Sequence, residues 1–183
     1  MTQVKPENDE GRDSGRYAAM YWRELGETRA SYEYVRLYRD LLRKWIARFA
    51  IVRAVATSSA VGGWAVFQSY PAIWAGIIMI SQIADVLAQV FSATSHYEAA
   101  RELVHELDKI LIQALTDWEK VRLGRFDDEE IIGLRRNLMK DRSDVAKKCF
   151  PKSDLPERES LRRLAERLAN AYFQRMFGGA TWR

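Results

Sequence analysis

Between Arg53 and Asp85 the chain runs through thirty-one residues without a Lys, Arg, Asp or Glu. Where 30% of all residues are charged, such a gap arises by chance with a probability of roughly one in 10⁵, so it needs a physical cause. One break, Gln68-Ser69-Tyr70-Pro71, separates two apolar stretches, Ala50 to Phe67 and Ala72 to Phe91. Each is about 18–20 residues, or about 30 Å as a helix, which matches the hydrocarbon thickness of a bilayer. Pro71 suits the first turn of a second helix, where a missing N–H costs nothing. The pattern predicts a two-span transmembrane helical hairpin, with spans at 50–69 and 72–92.

The flanks set an orientation. Arg39, Arg43, Lys44, Arg48 and Arg53 lead into the first span, opposed only by Asp40, while the connecting loop is uncharged. Basic flanks stay in the cytoplasm, so both ends lie inside. Trp64, Phe67, Tyr70 and Trp74 gather near the outer turn, and Trp45 and Phe49 near the inner boundary, as aromatic belts do. A buried hairpin in a soluble bundle is the alternative. Such helices carry charges every turn or two on one face, and none occurs between Val61 and Ile80.

Whole-chain averages hide this segregation, since 48% hydrophobic residues and a negative mean hydropathy would pass for a soluble protein. A net charge of +4 specifies no partner, and the single cysteine, Cys149, excludes an intramolecular disulfide framework. Residues 1–15 are polar, lack the apolar core of a secretory signal, and read as a disordered tail.

Outside the apolar stretches the chain reads as helical throughout, giving an all-α fold. Tyr17, Tyr21, Leu25, Tyr32, Val35, Leu42 and Trp45 recur at helical spacing over 16–49. Tyr97, Ala100, Val104, Leu107, Leu111, Ala114, Trp118 and Val121 alternate spacings of three and four over 93–124. That stripe seeks a coiled-coil partner, either the first helix running antiparallel or another subunit. Gly124 ends this helix, Asp127 and Asp128 start a shorter one, and Pro151 stops it. A last helix opens near Asp154 or Pro156, with Leu161, Leu164, Leu168, Tyr172 and Met176 on one face, and Gly178-Gly179 closes it. Residues 126–183 thus form a small C-terminal helical region behind a core at 16–125.

Gln82, Asp85, Gln89, Ser92 and His96 fall on one side of the second span. Polar groups facing lipid are costly, so this side faces protein or water. Around an oligomer axis Gln82, Asp85, Gln89 and Ser92 would line a pore, with Asp85 as a carboxylate ring that favours cations. Arg53 and Asp85 lie at similar depth, and a plain ion pair between them is the competing reading. In the first span Ala54, Ser58 and Gly62, and likewise Ser59 and Gly63, permit close helix approach, within the hairpin or between subunits.

From Arg135 onward thirteen Lys and Arg face six Asp and Glu. Lys147, Lys148, Arg158, Arg162, Arg163 and Arg167 are the densest portion, a solvated face or a surface for anionic headgroups, a phosphorylated ligand or nucleic acid. Catalysis finds little support. Glu98, Glu102 and His105 share a helix face better read as solvated than as a metal cluster, and neither GxxxxGK[ST] nor GxGxxG occurs. No enzymatic activity, metal or cofactor is expected.

The Tyr-rich lead-in YWRELGETRASYEYVRLYRDLLRKWIARFAIVRA, the two spans and the returning SHYEAARELVHELDKIL resemble the SLATT family, two-transmembrane effectors that associate with SMODS and SLOG proteins. The resemblance covers roughly Tyr17 to Val121. It implies a homo-oligomeric, pore-forming effector of the bacterial inner membrane in anti-phage defence. Such an effector would perforate the membrane and arrest growth when activated. It further implies, as trigger, a nucleotide or oligonucleotide ligand from a partner nucleotidyltransferase, or a CRISPR nuclease partner. A non-conducting membrane scaffold that recruits a cytoplasmic partner is the alternative function.

Overall fold

The computed structural model describes residues 10–62, 76, 79, 93–151, 155–178 and 182. The described residues include four helices, α1 (Glu10–Gly62), α2 (Ala93–Arg122), α3 (Asp128–Cys149) and α4 (Glu159–Phe177), and no strand. The fold is all-α. None of these helices is long and apolar enough to cross a membrane, a statement confined to the described residues. The second apolar stretch, apart from Gly76 and Met79, lies outside them, as does the first beyond Gly62.

α1 is continuous into the first apolar stretch and begins at Glu10, ahead of the Arg16 start expected from periodicity. No apolar residue precedes Tyr17 in this helix to mark its first turns, so periodicity cannot register them.

Two compact units divide the chain. The first comprises the described residues up to Leu37 and from Ala100 onward, so α3 and α4 pack with the start of α1 and most of α2. Within it α1 and α2 run antiparallel. Near one end the Tyr21 hydroxyl donates to the Ala114 carbonyl (3.0 Å) and its ring stacks on Trp118 at 6.3 Å. Toward the other end Tyr34 and Val35 share a cavity wall with Leu103 and Leu107. The α2 stripe is buried within the unit: Ala100, Val104, Leu107, Leu111, Ala114 and Val121 are covered, with Leu103 beside them. Leu111, Ala114 and Val121 share one core with Tyr21 and Leu25 of α1, Ile131 and Leu138 of α3 and Phe173 of α4. Burying each large apolar side chain contributes about 1.5–3 kcal/mol, so this shared core is a large stabilising term for the unit.

Local signals place the ends. After α2, Gly124 adopts φ 66°, and Arg125 N–H donates to Lys120 while Gly124 N–H donates to Val121, a Schellman ending. α3 opens on a reciprocal cap in which Asp127 accepts from Glu130 N–H (2.8 Å) and Glu130 from Asp127 N–H (2.9 Å).

α4 departs from the expected pattern twice. It begins at Glu159, with Arg158 as a cap residue that makes no side-chain hydrogen bond. Its buried face is Ala165, Ala169 and Phe173, whereas Leu168 and Met176 are exposed. Alanines at i and i+4 let α4 approach its neighbours closely, Phe173 at i+8 fills the space beyond them, and the larger leucines fall to the flanks. Trp22 of α1 completes this contact, lying 4.8 Å from Trp118 and Phe173 and 5.1 Å from Phe177.

The second unit spans Tyr38–Ala99. There Tyr38 and Leu42 are buried, Arg39 pairs with Asp40 at 2.9 Å, and the exposed Trp45 and Phe49 rings meet at 6.0 Å.

Candidate functional site

The first unit encloses a solvent-reaching cavity of about 700 Å³. α1 contributes Ser31, Tyr34 and Val35, α2 contributes Leu103 and Leu107, and α3 contributes Arg142, Ser143, Lys147 and Phe150 just past its end. The linker and α4 add Leu155, Arg162 and Ala165, and Trp182 closes one side. Three carboxylates, Glu27, Glu157 and Glu166, also line it.

Tyr34 holds one wall in place. Its hydroxyl donates to the Pro156 carbonyl and accepts from Arg158 N–H at 3.0 Å. The Arg158 amide, just ahead of α4, thus finds its acceptor on α1. Trp182 fixes another wall. It is 5% exposed and lies directly over the α1 backbone at Gly26, where a Cβ would collide with the indole ring.

Beside the cavity, charge is taken out of water and paired. Glu24, 5% exposed, meets Arg142 at 2.9 Å and Arg135 at 4.0 Å, and Arg142 also reaches Glu27 at 3.9 Å. Burial raises the Glu24 pKa, and the pull of Arg142 offsets this only in part. Glu33, 3% exposed, is clamped by Arg29 at 2.6 Å and Arg36 at 3.3 Å. The Arg29 guanidinium in turn stacks 3.9 Å from the Tyr172 ring centroid, tying α1 to α4. Burial and the nearby Asp117 carboxylate both push the Tyr21 hydroxyl pKa up, so it acts as a neutral donor.

The six basic residues expected as one ligand surface divide. Lys147 and Arg162 line the cavity. Lys148 instead pairs with Glu102 on α2 at 3.1 Å, a bond that raises its pKa, and Arg163 pairs with Glu159 at 2.9 Å. Arg158 and Arg167 are exposed and do not line the cavity. Arg162 binds Glu157 (2.8 Å) and Glu166 (3.4 Å), which together raise its pKa. Burial raises the Cys149 thiol pKa, first among causes that include Glu102.

Of the expected pore residues, Gln82, Asp85, Gln89 and Ser92 lie outside the described residues, and so does the Arg53 side chain, although its backbone is part of α1. Among the described residues no group of three or more His, Cys, Asp or Glu is placed to hold a metal. Glu102, named with Glu98 and His105 as a shared face, is engaged with Lys148.

Sequence reading missed Tyr34, Arg142 and Trp182. A glycine inside an otherwise helical pattern, here Gly26, was the available signal of a close approach. No family model matches this chain, and no curated protein or solved structure matches it either.

Proposed function

We propose that this chain is a two-pass membrane effector that assembles into an oligomeric, cation-passing pore, held shut until a partner or a bound signal opens it. The observation that carries the reading is the charge-free run between Arg53 and Asp85. Long enough to cross a bilayer twice, it has the basic inner flank and uncharged turn of a hairpin with both ends in the cytoplasm.

Surface chemistry next to the run supports the same reading. Trp45 and Phe49 are exposed at 46% and 41%, and Ile51 and Met79, one in each apolar stretch, at 64% and 62%. Large apolar side chains left this open are suited to lipid or to a neighbouring subunit. Exposed Arg43, Lys44 and Arg48 alternate with them, a composition fitted to the headgroup layer. The resemblance to the SLATT family supplies the bacterial inner membrane and anti-phage defence as the setting.

Reconstitution tests the pore. Purified protein in liposomes passes monovalent cations on activation, and Asp85→Asn lowers cation over anion selectivity. If Asp85 serves only to neutralise Arg53, the double variant Arg53→Asp with Asp85→Arg behaves like the parent protein. An intact membrane potential in fully active cells overturns the pore and leaves the non-conducting scaffold.

A further inference from the structure

We propose that the cavity of the first unit is a binding site for a small organic phosphate that carries a flat ring. Its volume, about 700 Å³, falls within the range of pockets that take small ligands. Two kinds of surface meet there. Tyr34, Phe150 and Trp182 supply aromatic lining, and Arg142, Lys147 and Arg162 supply cations from two helices.

The carboxylates around these cations do not exhaust them. Arg142 is nearest Glu24 and Glu27 through Nη2, with no hydrogen bond from Nε or Nη1 among the described residues, and Arg162 uses Nε and Nη1. A guanidinium has five N–H donors in a fixed fork, so Arg142 keeps Nε and Nη1, and Arg162 keeps Nη2. Lys147 has no carboxylate within 4.0 Å among the described residues, which leaves its whole ammonium for a ligand. A lining of this kind, with committed carboxylates beside spare donors, recognises one phosphate of limited charge better than a polyanion, which the three glutamates would repel.

Rigid walls favour such a site. Tyr34 ties the linker to α1, and the Trp182 indole is seated on Gly26, so the aromatic lining is placed before a ligand arrives. A bound phosphate would join α3 to α4 through Lys147 and Arg162. The inference deepens the effector reading by naming the chemical class of its signal, and rests on that reading only for the consequence of binding.

The experiment is calorimetric titration of the full chain in detergent with adenosine 5′-monophosphate. Adenosine and ribose 5-phosphate serve as probes lacking the phosphate or the ring. The nucleotide binds with a Kd between about 10 μM and 1 mM, and both partial probes bind at least about tenfold more weakly. Lys147→Ala and Arg162→Ala each weaken binding about tenfold, while Lys148→Ala, whose ammonium faces Glu102, leaves it unchanged. Absence of binding at about 10 mM nucleotide, or equal binding by all three variants, overturns the site. Either failure leaves the Asp85 flux measurement intact, because binding is read without conduction.

Discussion

A methyl group at Gly26 would overlap the Trp182 ring, so hydrogen is the side chain that lets the indole lie on α1. Gly26→Ala is expected to destabilise the protein by about 1–3 kcal/mol through overpacking, measured by urea denaturation, with the Trp182 indole becoming accessible to a fluorescence quencher. An unchanged midpoint would contradict the packing. The Glu24 carboxyl is a second test at this scale. Its pKa in the folded protein is raised above the ordinary 4.5, so its contribution favours the folded state while it is protonated. That contribution is lost as pH rises from about the ordinary value through the raised one. Arg142→Leu strips the buried carboxylate of its nearest cation and is expected to cost about 2–3 kcal/mol at pH 7. The deficit shrinks as pH falls into the carboxylate range, because a protonated Glu24 needs no cation. Thermal melts of parent and variant between pH 4 and 8 check both the size and the slope.

The helices themselves were legible where a local rule determines them. Asp127 with Asp128 announced the start of α3, and Gly124 the end of α2, because caps and left-handed turns depend on residues a few positions apart. Asp127→Ala is accordingly expected to lower stability by about 1 kcal/mol, read from the urea midpoint, and Asp127→Asn to recover most of it. The α2 stripe was legible too, since heptad spacing reports a buried face directly. Two things were not. α4 starts where Tyr34, more than a hundred residues upstream, accepts the amide of its cap residue Arg158, and no local pattern encodes that bond. Its buried face follows Ala165, Ala169 and Phe173, since close helix approach at the two alanines rewards small side chains over the larger leucines that hydropathy favours, and Phe173 packs on the Trp22 ring. The candidate cavity is illegible for the same reason. Lys147 and Lys148 are adjacent in sequence, yet one lines the cavity and the other crosses to Glu102, a difference of one helical step of about 100°.

For the whole molecule, the division into two units follows chemistry already segregated along the chain. Residues up to Leu37 and from Ala100 onward bury aromatic rings and paired charges in water-soluble fashion, whereas the intervening unit carries the charge-free run and leaves Trp45, Phe49, Ile51 and Met79 open. Conduction requires that a bilayer receive those apolar groups. Extraction of membranes from cells expressing the full chain decides the matter most directly. After a wash in sodium carbonate at high pH, the protein is predicted to stay in the pellet and to enter solution only with detergent. Release into the alkaline supernatant would contradict the account.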